Sequence, residues 1–403
     1  MDSKEPVISN LAPAHAQLRL AMVTETYPPE VNGVARTMHR FVEGLRSRNH
    51  AVQLVRPRQG IADQATQHMN FEELLRPGMR IPRYAQLRMG LPARSALLRE
   101  WTLRRPDLVH IATEGPLGWS ALSAATKLRL PVATNFHTNF HAYSRHYGAA
   151  WLSRPVAAYL RKFHNRAHCT MVPTQEMADD LAARGFERLR VVGRGVNPEV
   201  FHPSKRSDAL RAQWGAGAGT LVALYVSRFA PEKNFPLVME AFRAMQAVRP
   251  DSRLVLVGDG PLEQELRNAS AGIVVAGRKE NGELSRHYAS ADAFLYPSTT
   301  ETFGNVTLEA MASGLIVTAY DYAAARQHLR HGHSGLLVPF GKDAAFVNQC
   351  IALAREFEQL RSLGAAARAT AETLSWNAII RDLERVLLEC VERPVARPLP
   401  EAA

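Results

Sequence analysis

Two carboxylates eight residues apart, Glu301 and Glu309, and two cations five apart, Arg228 and Lys233, are the side chains in this 403-residue chain whose types and spacing could do chemistry together. Glu301 stands in Ser298-Thr299-Thr300-Glu301-Thr302-Phe303-Gly304-Asn305, which reads as a loop feeding a helix start, with Glu309 about two turns down that helix. Such a unit offers backbone N–H groups to a phosphate and carboxylates to sugar hydroxyls. Arg228 and Lys233 fall in Ser227-Arg228-Phe229-Ala230-Pro231-Glu232-Lys233-Asn234, directly after an apolar run. Two positive groups and a helix N-terminus converging on one point would stabilise the charge that develops on a departing pyrophosphate. Taken separately, each stretch is equally compatible with solvated charges on a surface loop.

The elements that must position these groups can be read from apolar runs and punctuation. Ala293-Phe294-Leu295-Tyr296, ended by Pro297, has the look of a buried parallel strand leaving a sheet. Val306, Leu308, Met311 and Ala312 recur with helical spacing, and Gly314 is placed to cap the helix before the run Leu315-Ile316-Val317. Further strands are predicted at 221–226, 253–257, 272–276 and 335–338, with helices between them. Glu301 and the Arg228/Lys233 loop therefore sit at strand carboxyl ends, where open α/β sheets bind ligands. The first half repeats the scheme with strands at 18–24, 51–55, 107–111, 131–135, 169–173 and 189–193. Its first strand leads through Glu25 to Val34 into a helix from Ala35, with Gly33 just before that helix and no G-x-G-x-x-G fingerprint. Residues 57–95, rich in Pro and Arg, read as irregular. Residues 196–219, with Pro198, Pro203 and Gly215-Ala216-Gly217-Ala218-Gly219, read as a connection. The expectation is an α/β protein of two doubly wound, Rossmann-like domains, residues 17–197 and 198–376.

Composition narrows the function classes. With 46% hydrophobic and 22% charged residues the chain is ordinary globular protein, and no apolar run approaches the roughly 18 to 20 residues of a membrane span. The N-terminus lacks a cationic region ahead of an apolar one, so a cytoplasmic protein is expected. Cys169, Cys350 and Cys390 match no metal or redox spacing and read as reduced, unremarkable thiols. Residues 1–195 carry 27 Lys and Arg against 15 Asp and Glu, net +12, leaving 22 against 23 for the rest. That basic half has no run of five cations and no nucleic-acid motif, which argues against DNA or RNA and leaves an anionic lipid surface or the anionic substrate as its partner. His137 and His141, with Tyr143 and Arg145 nearby, follow a strand's carboxyl end. Without a Glu beside the first histidine they make no zinc site, and they suit hydrogen bonding to a polar substrate or a structural role. No D-x-D occurs, so no metal clamp on a diphosphate and no cofactor is expected.

Five ordered motifs together resemble the retaining GT-B glycosyltransferases over about residues 18–390: Pro29-Glu30-Val31-Asn32-Gly33-Val34-Ala35-Arg36-Thr37, Phe136-His137-Thr138, the Arg228 to Lys233 octapeptide, Gly258-Asp259-Gly260-Pro261, and the E-x7-E of Glu301 and Glu309. The nearest look is to GDP-mannose-dependent α-mannosyltransferases and bacterial glycolipid synthases, although a single Gly33 stands where many members carry two adjacent glycines. The resemblance implies two domains facing across a cleft, with a last helix, 377–395, crossing back to the first. It implies that Arg228 and Lys233 hold the donor diphosphate, that Glu301 binds the donor sugar, and that Glu309 binds the ribose. Phe303, Gly304 and Asn305 would meet sugar and phosphate through backbone groups, and Arg278 and Lys279 would lie against the base. Gly33 would approach the diphosphate and His137 would line the sugar site; His141, Tyr143 and Arg145 are assigned to the acceptor side. The implied reaction moves a hexosyl group, mannosyl from GDP-mannose in the first reading, to a lipid or glycan hydroxyl beside an anionic membrane face. A UDP-sugar-dependent glycolipid synthase and a non-catalytic nucleotide-sugar-binding protein are the alternatives.

Overall fold

The computed structural model describes residues 17–30, 32–81, 84–137, 153–268 and 271–392. By its internal contacts the chain divides into two units, one of Met1–Asn135, Arg166–Cys169 and Leu387–Ala403, the other of Phe136–Asn165 and Thr170–Val386.

The strands of the first unit are β1 (Arg19–Val23), β2 (Ala51–Pro57), β3 (Gln67–His68), β4 (Phe71–Arg76), β5 (Gly78–Ile81), β6 (Tyr84–Gly90), β7 (Leu108–Ile111) and β8 (Val132–Asn135). They are ordered β8-β7-β1-β2-β4-β3, all parallel except the short edge strand β3, while β5 and β6 form a separate hairpin. Continuous apolar runs mark the centre: every residue of β7 and β8 is buried, as parallel strands covered on both faces require. Helix Gly33–Ser47 crosses from β1 to β2 and buries Ala35, Met38, Phe41, Val42 and Leu45, one face at helical spacing. Asn32 caps its start by accepting from the Ala35 amide at 2.8 Å.

Residues 57–95 are not irregular, as their composition suggests. They contain β3 to β6. The charges that hide the strand pattern are paired in place: Glu73 with Arg56 at 2.9 Å, Arg56 with Asp63 at 2.7 Å, and Glu72 with Gln53 at 2.6 Å and Arg104 at 2.9 Å. A half-buried sheet margin stitched by ion pairs reads as loop when polarity alone is counted.

The second unit holds β10 (Leu189–Val191), paired in parallel with β9 (Cys169–Val172), and a six-stranded parallel sheet. That sheet is built from β11 (Val222–Val226), β12 (Arg253–Val257), β13 (Ile273–Gly277), β14 (Ala293–Tyr296), β15 (Ile316–Tyr320) and β16 (Leu336–Val338), in the order β13-β12-β11-β14-β15-β16. The chain runs outward from β11 to β13, then returns to place β14 on the other flank of β11, so the order reverses between β11 and β14. The loops leaving those two strands flank the crevice where such sheets bind ligands. The final helix, Trp376–Glu392, ends in the first unit from Leu387 onward, where the Cys390 thiol lies 3.0 Å from that of Cys169. Two of the three cysteines, far apart in sequence, are thus in contact, and among the described residues no disulfide links them.

Candidate functional site

The loop after β11 contributes Arg228 and Lys233; the loop after β14 contributes Glu301. The reversal in strand order makes them neighbours although Lys233 and Glu301 are 68 residues apart. The Lys233 ammonium donates to Oε1 of Glu301, which also accepts from Tyr296 Oη at 2.6 Å and Ser298 Oγ at 2.7 Å. Both partners are largely withdrawn from water, with side chains 16% and 15% exposed. Burial alone would raise the Glu301 carboxyl, but the Lys233 charge and the hydrogen bonds from Lys233, Tyr296 and Ser298 outweigh it and hold the group below its ordinary value. The same surroundings push the buried Tyr296 phenol well above its ordinary value, through burial first and the Glu301 charge second. Glu301 is therefore an ionised carboxylate, held at one oxygen by three donors.

Around this pair the backbone is held by side chains far away in sequence. Asn234, in the left-handed region at φ 56°, donates to the Pro297 carbonyl at 3.1 Å; Thr300 Oγ1 donates to the Glu232 carbonyl at 3.3 Å. Tyr322 Oη donates to the Glu301 carbonyl at 2.7 Å and the Ala324 amide to the Phe303 carbonyl at 2.9 Å. Phe303 is buried against His328, whose imidazole burial lowers to about 4, so that it is neutral. Gly304 has φ 91°, a conformation that costs L side chains, and from it helix Asn305–Ala312 starts with no side chain capping it. The amides of that first turn and the partial positive charge of the helix start thus lie just beyond Glu301. The helix starts at Asn305, so Glu309 is about one turn in, not two; it accepts from Tyr288 Oη at 2.9 Å.

Arg228 pairs with Glu232 and keeps its side chain 57% exposed. Its loop rests on the turn after β12. A Cβ added at Gly258, φ 149°, would lie 1.8 Å from the Ser227 carbonyl oxygen. That glycine is present because the two loops touch. Arg278 and Lys279 follow β13: Arg278 bonds Glu280 at 2.5 Å and lies 3.8 Å from Asp259, while Lys279 is 3.8 Å from Glu283. Lys279 also borders a cavity of about 390 Å³ with Trp214, Arg286 and His287, and none of Arg228, Lys233 and Glu301 lines it.

His137 belongs to the second unit. Its carbonyl accepts from Thr302 Oγ1 at 3.1 Å, which joins it to the Glu301 loop, and its Nδ1 faces Arg194. Gly33 opens its helix in the first unit, and a Cβ there would meet nothing within 4 Å, so the backbone at this point is open to approach. His141, Tyr143 and Arg145 lie outside the described residues. No group of three or more metal-ligating side chains occurs among the described residues. Sequence reasoning did not single out Tyr296, Tyr322, Tyr288 or Arg194. Tyr296 reaches Glu301 only five residues along the chain, whereas Tyr322, Tyr288 and Arg194 act through contacts between segments that folding brings together.

Comparison with known proteins agrees with this architecture. Residues 31–200 match the family described as Glycosyltransferase Family 4, and residues 206–370 match Glycosyl transferases group 1. A protein of Mycolicibacterium smegmatis named GDP-mannose-dependent alpha-mannosyltransferase is 32% identical over 371 residues, covering 91% of this chain and 96% of its own. The alpha-monoglucosyldiacylglycerol synthase of Acholeplasma laidlawii is 28% identical over 399 residues, covering 93% of this chain and 98% of its own. Among solved structures, a sucrose-phosphate synthase from Thermosynechococcus elongatus superposes with a TM-score of 0.73 at 19% identity, covering 93% of this chain and 99% of that one. With both halves matched and a relative above 30% identity along nearly the whole chain, the protein belongs to the GT-B glycosyltransferases, a family 4 first half joined to a group 1 second half, and is a hexosyltransferase that uses a nucleotide-sugar donor.

Proposed function

We propose that the chain transfers mannose from GDP-mannose, with retention of configuration, to a hydroxyl of a lipid or lipid-linked glycan. The observation that carries the reading is the Lys233–Glu301 pair at an uncapped helix start, with Arg228 paired to Glu232 on the Lys233 loop. Arg228 and Lys233 take the donor diphosphate, with Gly33 approaching it, and the amides from Phe303 to Asn305 meet sugar and phosphate. Glu301 accepts from sugar hydroxyls, His137 lines the sugar, Glu309 holds the ribose, and Arg278 and Lys279 lie against the base; His141, Tyr143 and Arg145 belong to the acceptor side. When phosphate oxygens compete for the Lys233 ammonium, Glu301 is released to the sugar, so donor binding exchanges one charge-assisted contact for two.

Retention by double displacement would require a carboxylate nucleophile at the anomeric carbon. Glu301 is poorly suited to that role, since Tyr296 and Ser298 still donate to its Oε1 after Lys233 has turned to the phosphate. The arrangement favours attack on the face of departure: the leaving phosphate oxygen takes the acceptor proton while Arg228, Lys233 and the helix start stabilise its charge. Mannose is favoured over glucose by the 32% identical mannosyltransferase; the 28% identical glucolipid synthase supports the second reading, a UDP-sugar-dependent glycolipid synthase.

The net +12 of residues 1–195 supports reversible contact with an anionic membrane surface, at about 1 kcal/mol for each suitably placed cation. Among the described residues no helix is long and apolar enough to cross a membrane. Purified protein incubated with GDP-mannose, UDP-glucose or UDP-glucuronate, with and without lipid extract, tests the donor through released nucleotide. Release from a UDP-sugar alone overturns the mannosyl assignment, and no release from any of them favours a binding protein. Vesicle sedimentation at rising anionic lipid and salt tests the membrane contact.

A further inference from the structure

We propose that Arg194 is a positioning residue of this site, which holds His137 as a neutral imidazole protonated on Nε2, so that His137 meets the substrate as a hydrogen-bond donor and never as a base. The inference rests on the reading that His137 lines the sugar site. Arg194 is 3% exposed and stands just past β10, after Val192 and Gly193. One terminal nitrogen of its guanidinium donates to the carbonyls of Val192 and Gly193, each at 3.1 Å, and the other lies 3.4 Å from Nδ1 of His137. Burial lowers this guanidinium only to about 10, so at neutral pH it is a cation.

A guanidinium has donors and no acceptor. At this contact Nδ1 must therefore present its lone pair, and a neutral imidazole that accepts on Nδ1 carries its proton on Nε2. Protonating Nδ1 would turn one N–H against another and put a second positive charge beside a buried one, which the low local dielectric penalises. Both residues are held against rearrangement. The Arg194 guanidinium is tied to two carbonyls of its own strand end. On the other side, the Phe136 amide donates to the Met171 carbonyl at 2.9 Å, and its ring packs against His164 and Phe186 at 5.2 and 5.7 Å. Thr302 then fixes the His137 carbonyl from the Glu301 loop. The consequence for the reaction is specific: with Nδ1 engaged and Nε2 protonated, His137 has no lone pair with which to take the acceptor proton. That proton is left to the departing phosphate, and His137 contributes a fixed N–H to a hydroxyl.

Long-range proton–nitrogen correlation on protein labelled with ¹⁵N in its imidazoles reads the tautomer directly, the His137 signals being those absent from His137→Gln. At pH 7.5 the wild-type enzyme should show His137 in the Nε2-protonated neutral form, and Arg194→Lys should keep that pattern. Arg194→Met should shift it toward a mixture and lower kcat about tenfold with the KM for donor little changed. A His137 protonated on Nδ1 or on both nitrogens in the wild type overturns the proposal, even if Arg194→Met does not fold. So does a wild-type tautomer and kcat retained in folded Arg194→Met. Failure of the sugar-site reading is separate: the tautomer would be as stated, while His137→Gln left turnover unchanged.

Discussion

Replacing Lys233 and Glu301 singly and together measures how tightly the two loops are coupled. For an ion pair at an ordinary separation of about 3 Å and an effective dielectric near 20 the Coulomb attraction is about 5 kcal/mol, from which desolvation of two groups some five-sixths buried must be subtracted. The net lies between the roughly 0.2 to 1 kcal/mol of exposed pairs and the about 3 to 5 kcal/mol lost when one partner of a fully buried pair is removed. Lys233→Met strands an ionised Glu301 that keeps the Tyr296 and Ser298 hydroxyls, and should cost about 3 kcal/mol. Glu301→Gln strands an ammonium and should cost about 2 kcal/mol. The double variant should cost about 3 kcal/mol instead of the additive 5, a coupling of about 2 kcal/mol. Urea unfolding midpoints of the four proteins give this number directly. Repeated in saturating GDP, the coupling should shrink, because phosphate takes over the ammonium. A coupling below about 0.5 kcal/mol without ligand would refute the structural argument. A coupling unchanged by nucleotide would refute the exchange between Glu301 and phosphate.

Three further outcomes are expected. Lys233→Ala should lower turnover on the order of 100-fold or more while acceptor binding changes little, because it removes charge stabilisation from the leaving group; near-normal turnover of the folded variant contradicts the assignment. Gly258→Ala should be more damaging than Gly304→Ala. The first drives a Cβ into the Ser227 carbonyl at 1.8 Å; the second meets Glu301 Cγ at 3.6 Å and suffers only the positive φ, about 1 to 2 kcal/mol. Thermal shifts in reverse order would show the turn after β12 to be slack. Glu25 accepts from the Leu117 amide at 2.9 Å, and burial raises its carboxyl from 4.5 to about 7, with hydrogen bonds opposing. The folded state then binds the extra proton between those values, so this group's contribution falls as pH rises from about 4.5 to 7, by at most about 3 kcal/mol. Glu25→Gln should flatten the stability profile over that window and raise the melting temperature at pH 8; an unchanged profile would show that Glu25 is not the group titrating.

The two-layer repetition of apolar strand, loop and helix was written locally, in runs such as Ala293–Tyr296 and in the spacing of Val306, Leu308, Met311 and Ala312, because strand burial and helix periodicity depend on neighbours a few residues away. The loops of the candidate site were legible for the same reason: Glu301 and Lys233 each follow a buried run that had to end at a sheet rim. Their partnership was not. It exists because β14 returns to the flank of β11 and not to that of β13, a choice of strand order that leaves no mark within either segment. The charged strand β4 was hidden likewise, since Glu72 and Glu73 look like loop residues until Arg104, Arg56 and Gln53 are brought to them. The one-turn position of Glu309 follows from the helix start at Asn305, directly after the left-handed Gly304. Arg194, 57 residues from His137, gained its meaning only when folding turned its guanidinium onto that imidazole, because a hydrogen bond's direction is set by donor and acceptor placed in space and by nothing in the order of the chain.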